Sequence, residues 1–257
     1  MKKTTSPSSL PTLALLCALA PLVPACGSPD PVPDPDPVSY VVPTSEKLSG
    51  KSYGELAAEW WQWTRAIPKE TNPLLDAPCD VNQTGPVFFL AGTFGGASTR
   101  SCALPANQPL FFPLLNVSVG SCPEIVDGKE YTCAIATSED SLHTRVKGLL
   151  DSGKVTLKLD IDGVAASDLV AQRVASATFL DTAPPGPTEL WGNCSGPIRE
   201  NTCGVVVPSP RNMATDGFWI LMRPLPAGKH ELHFSGAIAL PDGDFSVEVT
   251  YHLDVAS

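Results

Sequence analysis

The chain has 257 residues, of which 43% are hydrophobic and 17% are charged, a composition too apolar for a disordered chain. Its 27 acidic and 17 basic residues give a formal net charge of −10, which argues against nucleic-acid binding because phosphate recognition needs clustered Lys and Arg. The 27 prolines are about twice the usual ~5% share and favour loops and strand edges over long helices.

The first 25 residues are predicted to be a signal peptide. A basic start at residues 1–3 precedes an apolar stretch at residues 10–23, which is too short and too interrupted by proline to span a membrane. The stretch ends in Val-Pro-Ala-Cys at residues 23–26, which resembles a bacterial lipobox. This resemblance implies cleavage before Cys26 and lipidation of its thiol, which would anchor the chain to a membrane. An ordinary secretory signal is the alternative.

Residues 26–38 are predicted to be the lipidated cysteine and a Pro/Asp-rich stalk. Proline alternates here with Asp and Val, which favours the extended polyproline II conformation. Gly27 stands where an aspartate marks inner-membrane retention in enterobacterial lipoproteins, so the same resemblance implies the outer membrane or the cell surface. Residues 39–257 are predicted to form one folded domain, with a candidate subdomain boundary near residues 137–153.

Six of the eight cysteines remain after the predicted processing. An even number of cysteines in an exported chain predicts a disulfide framework. Pairing of neighbours along the sequence, with other pairings left open, gives Cys79–Cys102, Cys122–Cys133 and Cys194–Cys203. Zinc binding is the alternative, but no two of these cysteines have the C-x2-C spacing typical of zinc sites.

An amphipathic helix is predicted from residue 53 to residue 67. Ser52 and Glu55 have the spacing of a capping box, and Pro68 ends the helix. Ser52 is also the central residue of a G-x-S-x-G sequence, in which a serine nucleophile would need a buried strand before it. Because no such strand precedes it, Ser52 is interpreted as an N-cap.

Three tryptophans of this helix cannot all face one core, because positions 60, 61 and 63 span well over half of its circumference. Trp61 is therefore predicted to lie over a neighbouring loop or to be exposed, and an exposed Trp61 would be a candidate for stacking on sugar rings. Packing of the tryptophans in the core is the preferred interpretation. The neighbouring polar side chains that could bond sugar hydroxyls are Glu59, Gln62 and Arg65.

The rest of the chain predicts strands with one more helix. Short apolar runs bounded by turn residues, or with a period of two, indicate strands, and Ser138 can cap a helix at residues 138–150. Because no βαβ rhythm is present, the pattern predicts a mainly β protein: an antiparallel β-sandwich of jelly-roll or immunoglobulin-like type with the early amphipathic helix packed on it. The predicted strands lie at 86–91, 109–117, 155–161, 170–179, 217–222, 230–234 and 245–255.

Two further groups of residues are candidates for binding. The long loop at residues 181–216 carries Trp191, Asn193 and Arg199, an aromatic ring with polar neighbours, although a disulfide-stapled spacer is the alternative. His233 could meet His252 across neighbouring strands and bind a divalent cation. Two solvated histidines are the preferred interpretation, so no metal or other cofactor is predicted.

Four segments together resemble a family of uncharacterised bacterial secreted proteins. They are Glu-Trp-Trp-Gln-Trp at 59–63, Phe-Leu-Ala-Gly-Thr-Phe-Gly-Gly at 89–96, Leu-Phe-Phe-Pro-Leu-Leu-Asn at 110–116 and Thr-Tyr-His-Leu at 250–253. The resemblance spans much of residues 45–257. It implies one folded unit and carries no activity with it.

These observations support two hypotheses for function. The first is a lipid-anchored, non-catalytic binding or structural module of the cell envelope that recognises a glycan or a protein. The alternative is an exported hydrolase that uses carboxylates, such as Glu55 or Glu59, or a metal held by histidines.

Overall fold

The computed structural model describes residues 40–120, 138–180, 212–240 and 243–257, together with the backbone of two short strands at 125–126 and 129–130. Several predicted features lie outside these residues: the signal peptide, the lipidated Cys26, the stalk, the pairs Cys122–Cys133 and Cys194–Cys203, and the loop that carries Trp191, Asn193 and Arg199. Residues Pro35–Ser257 form one compact unit.

Two α-helices are present in the described residues, and each begins with a capping box. Helix α1 spans Tyr53–Ala66, and the Ser52 hydroxyl accepts from the Glu55 backbone N–H while the Glu55 carboxylate accepts from the Ser52 N–H. Helix α2 spans Glu139–Asp151 with Ser138 as its N-cap. The predicted role of Ser52 as a cap is therefore confirmed.

The described fold is mainly β, with twelve strands. The first sheet has the order β1-β3-β10-β8, with β9 also paired to β10, and the second has the order β2-β12-β11-β6-β7, while β4 and β5 form a separate hairpin. The strands are β1 Phe88–Phe89, β2 Gly96–Leu104, β3 Leu110–Gly120, β4 Ile125–Val126, β5 Lys129–Glu130, β6 Lys154–Ile161, β7 Val164–Ala165, β8 Arg173–Ala175, β9 Phe179–Leu180, β10 Asn212–Met222, β11 Gly228–Ala239 and β12 Phe245–Val255.

Both large sheets are mixed, which corrects the prediction of purely antiparallel pairing. Strand β1 runs parallel to β3, and β2 runs parallel to β12, whereas the other pairs are antiparallel. Both parallel pairs join strands that are not neighbours in the sequence, and β2 adds to the last strand of the chain. Periodicity within a strand carries no information about such a distant partner.

The two sheets share one hydrophobic core. The ring of Phe112 in β3 packs against that of Phe234 in β11, with 4.8 Å between their centroids. Gly236 brings the sheets still closer, because a Cβ atom added there would lie 2.2 Å from the Leu114 carbonyl oxygen. Neighbouring strand residues point to opposite faces, so Phe111 points away from this core.

Helix α1 covers the other face of the first sheet. The ring of Phe111 lies 5.9 Å from that of Tyr53 in α1 and stacks at 5.3 Å on Trp219 of β10. Trp60 of α1 contacts the same Trp219 edge-on at 5.6 Å. The first sheet therefore lies between α1 and the second sheet, with apolar side chains on both faces.

The predicted strands are found with shifted ends, and the longest strand outside the predicted ranges is β2. The run at 86–91 forms only two strand residues, and the run at 170–179 contains a 3-10 helix at Leu169–Gln172 before β8 and β9. The Asp162-Gly163 turn joins β6 to β7, with both residues at positive φ, as the type I′ hairpin requires. Strand β2 was not predicted, because its outward positions carry small or polar side chains.

One predicted disulfide is confirmed. Cys79 bonds to Cys102, with 5.8 Å between the two Cα atoms, and thereby joins the segment after α1 to β2. Within the part of the chain that the structure describes, no helix is long and apolar enough to cross a membrane.

Candidate functional site

All three tryptophans of α1 are buried, as the preferred interpretation has it, so Trp61 is not an exposed ring on which a sugar could stack. Only 8% of Trp61 is exposed, and its indole N–H donates to the Thr215 hydroxyl at 3.0 Å. The prediction assumed one covering surface, whereas the first sheet and the segment 81–90 both cover the helix. That segment supplies the acceptors for the other two indoles. The Trp60 N–H donates to the Leu90 carbonyl oxygen and the Trp63 N–H donates to the Val81 carbonyl oxygen, both at 2.9 Å.

A groove of about 570 Å³ is lined by one side of α1 and by residues 82–87. Its volume lies within the ~300–1,000 Å³ that is usual for ligand pockets. Trp63 and Phe89 contribute aromatic surface to it, and their ring centroids are 5.6 Å apart. The polar side chains that line it are Lys51, Glu59, Gln62, Asn82, Gln83 and Thr84.

An ion pair lies in the wall of the groove. The Lys51 ammonium contacts the two carboxylate oxygens of Glu59 at 2.7 and 2.6 Å, and the two side chains are 33% and 37% exposed. At this exposure the pair contributes little to folding, because water screens it. It instead presents donors and acceptors side by side to a ligand.

The loop wall of the groove is held by Gln83. Its side-chain amide donates to the carbonyl oxygens of Cys79 at 3.0 Å and Phe89 at 2.8 Å, and it accepts from the Phe89 N–H at 3.0 Å. Since Cys79 is itself bonded to Cys102 of β2, this wall is fixed to the second sheet. The groove is therefore largely pre-formed.

A buried arginine fixes the segment that follows β1. The Arg100 Nη1 donates to the carbonyl oxygens of Ala91 at 2.9 Å and Gly92 at 3.0 Å, and to the Tyr251 hydroxyl at 3.0 Å, while its Nε donates to Asp76 at 3.0 Å. Burial raises the pKa of Tyr251, so its hydroxyl stays protonated and donates to the Ala91 carbonyl.

Sequence reasoning missed both of these anchoring residues. Arg100 lies in a polar stretch that gave no strand signal, and Gln83 lies in a loop without a motif. The only hint was the alternation of Ser98, Arg100, Cys102 and Leu104, which places these four side chains on one face of β2.

Of the polar side chains predicted to lie near the tryptophans, some line the groove and others do not. Glu59 and Gln62 line the groove, and Gln62 also donates to the Leu180 carbonyl at 3.0 Å. Arg65 is buried. Glu55 is engaged in the capping box, where hydrogen bonds from Ser52 lower the pKa of its carboxyl group.

The two histidines considered for a metal site are not directly opposite each other in the register of β11 and β12. His233 lies opposite Thr250 and bonds Glu248 at 3.0 Å, whereas His252 lies opposite Glu231. Among the described residues, no group of three or more His, Cys, Asp or Glu side chains is arranged to hold a metal ion.

Comparison with known proteins gives no match. No family model, curated protein or solved structure matches the chain. The groove beside α1 therefore has to be interpreted from its own geometry and chemistry.

Proposed function

We propose that this chain is an exported, lipid-anchored, non-catalytic binding protein of the cell envelope that recognises a glycan through the groove beside α1. The observation that carries the proposal is the groove itself. The half-buried Phe89 and the 8% of Trp63 that is exposed give it aromatic surface beside the Lys51–Glu59 pair. Sugars present apolar C–H faces and neutral hydroxyl groups, which such a lining complements.

The charges of the groove and of the whole chain restrict the class of ligand further. One cation, Lys51, and one anion, Glu59, line the groove among the described residues, and they pair with each other. The net charge of −10 repels anionic ligands at longer range. A neutral glycan, which needs both donors and acceptors, suits these conditions best.

A binding role fits the groove better than hydrolysis does. Glycoside hydrolysis ordinarily uses two carboxyl groups about 5–10 Å apart across the scissile bond. Glu59 is the one carboxylate among the described residues that line the groove, and Lys51 holds both of its oxygens. Glu55, the other candidate, is engaged at the helix N-terminus.

The anchor is a separate part of the proposal. Lipidation of Cys26 would tether the chain to a membrane, and the Pro/Asp-rich segment 27–38 would hold the folded unit away from the lipid surface. An outer-membrane or cell-surface position would expose the groove to envelope or extracellular glycans.

The strand order supports an immunoglobulin-like sandwich as the finer fold assignment. In immunoglobulin domains one sheet has the order A-B-E-D and the other contains G-F-C, to which variable domains add C′. Here β1-β3-β10-β8 has the strand order of the first sheet, and β12-β11-β6-β7 has that of the second. The differences from the antiparallel immunoglobulin sheets are the extra strand β2 beside β12 and the parallel pairing of β1 with β3. A jelly-roll would instead require two Greek keys in eight strands.

Glycan binding is tested with the full-length protein on a glycan array, followed by titration calorimetry of the best oligosaccharide. We expect Glu59→Gln to weaken binding about tenfold, because it removes a charged acceptor. The matched control is Glu248→Gln, which changes an exposed carboxylate on the second sheet and leaves affinity unchanged. A blank array, or equal affinities for the two variants, would refute the groove as a glycan site.

Lipidation is tested by metabolic labelling with palmitate. The wild-type protein should incorporate the label, and Cys26→Ser should lose it together with membrane association, because the thiol is the attachment point. Cys17→Ser, which changes a cysteine inside the predicted signal, is the matched control and should keep both. Label on the Cys26→Ser protein would contradict the assignment.

A further inference from the structure

A second, smaller cavity lies on another side of α1. Its volume is about 120 Å³, and no residue lines both this cavity and the groove. It is bounded by the tryptophan side of α1, the turn at 92–94, the middle of β3 and the start of β12. The residues on which the argument depends are Trp60, Trp61, Phe94, Asn116 and Phe245.

The size and charge of this cavity restrict its occupant. An apolar cavity of about 150 Å³ is known to hold benzene, so a slightly smaller chemical group fits here. No charged side chain is among the described residues that line the cavity. A charged group would therefore lose its hydration without gaining a counter-ion, so the occupant is neutral.

Two polar groups lack a hydrogen-bond partner among the described residues: one lines the cavity, and the other lies next to the first. Asn116 is half-buried, and none of the described residues hydrogen-bonds its side-chain amide. The indole N–H of Trp219, which is 0% exposed, also has no acceptor in the described part of the chain. The two lie beside each other across Gly217, where an added Cβ would be 2.6 Å from Asn116 Cβ and 2.9 Å from Trp219 Nε1.

These groups favour an amide over a purely apolar occupant. A hydrocarbon would exclude water from the Asn116 amide without replacing its hydrogen bonds, which is unfavourable. A secondary amide offers one carbonyl and one N–H, and the asparagine side chain can satisfy both at once. A methyl group on the carbonyl carbon would then contact the apolar walls that Trp60 and Trp61 form.

The residues at the opening of the cavity indicate which kind of molecule bears this amide group. Phe94 is 47% exposed and Phe245 is 37% exposed, although most large apolar side chains of the described residues are buried. Exposed aromatic side chains at the rim offer apolar surface on which the C–H face of a sugar ring can pack. We infer that this cavity is a second recognition site, which binds the acetamido group of an N-acetylated amino sugar. This inference does not depend on the groove being a glycan site.

The test uses saturation-transfer NMR on the full-length protein with three probes: N-acetylglucosamine, glucosamine and N-acetyl-lysine. We expect N-acetylglucosamine to bind in the millimolar range with the strongest transfer at its acetyl methyl, and the other two probes to give little signal. Asn116→Ala should weaken binding about tenfold, which corresponds to the loss of the amide hydrogen bonds. Asn212→Ala, which changes an exposed asparagine at the start of β10 that lines neither cavity, is the matched control and should have no effect.

Several results would overturn the inference. They are equal signals from glucosamine, binding of N-acetyl-lysine alone, silence of all three probes, or an unchanged affinity in Asn116→Ala. Phe94→Ser, at an exposed position, provides a second variant that keeps the core intact and should also weaken binding. Because Glu59→Gln changes only the groove, a monosaccharide signal that persists in that variant separates this site from the proposed glycan groove.

Discussion

At the residue scale, Arg100 determines the path of the chain between the two sheets. Its guanidinium bonds the carbonyl oxygens of Ala91 and Gly92, the Tyr251 hydroxyl and the Asp76 carboxylate. These partners belong to different parts of the sequence, so one side chain joins the segments that follow α1 and β1 to the strand pair β2–β12. Hydrogen bonding from Ser98, followed by Arg100, lowers the pKa of Asp76 and keeps this carboxylate charged.

Replacement of Arg100 by methionine should destabilise the protein by about 3 kcal/mol, because buried carbonyl oxygens lose their donors. The same substitution at Arg223, an exposed arginine that pairs with Glu46 at 3.2 Å, is the matched control and should change stability by less than about 0.5 kcal/mol. Urea unfolding followed by tryptophan fluorescence measures both. Similar losses in the two variants would contradict the anchoring role of Arg100.

At the element scale, α1 is defined by its ends as much as by its apolar face. The capping box of Ser52 and Glu55 satisfies the first turn. At the other end the Asn72 side chain donates to the carbonyl oxygens of Thr64 at 2.8 Å and Ile67 at 3.1 Å. The helix thus begins and ends where local hydrogen bonds replace those of the next turn.

Ser52→Ala should reduce the free energy of unfolding by about 1 kcal/mol, because a first-turn N–H loses its acceptor. Ser235→Ala, on the outward face of β11, serves as the control and should stay within about 0.5 kcal/mol of the wild type. Thermal unfolding followed by circular dichroism would detect the difference. A Ser52→Ala protein as stable as the control would rule out the energetic importance of the cap.

At the scale of the whole molecule, local patterns predicted the elements better than their arrangement. The alternation at 245–255, the Asp162-Gly163 turn and the cap at Ser52 depend on neighbouring residues, and each is present. The parallel partner of β2 and the burial of Trp61 depend on segments far away in sequence. The sequence indicated Glu59 and Gln62 as residues of the groove, but it did not indicate the loop that faces them. Gln83 fixes that loop by hydrogen bonds to backbone groups, which leave no sequence motif.

Sheet packing gives a prediction at the same scale. Gly236→Ala should destabilise the protein by about 3 kcal/mol or more, because the added methyl would overlap the Leu114 backbone and push the sheets apart. Gly148→Ala is a control for which the opposite change in the free energy of unfolding is expected. Gly148 lies inside α2 with open space around it, so alanine should stabilise the protein by about 0.5–1 kcal/mol. Equal effects in urea unfolding would show that the sheets tolerate a wider separation.

The bond between Cys79 and Cys102 links the order of the groove to the redox conditions around the protein. Gln83 holds the loop wall partly through the Cys79 carbonyl, and Cys102 lies two residues from Arg100 on the same face of β2. A thiol reductant that opens this bond would loosen the wall of the groove and the arginine anchor together. If the chain is exported as proposed above, ligand recognition would mature only in an oxidising compartment, which would separate the time of synthesis from the time of binding.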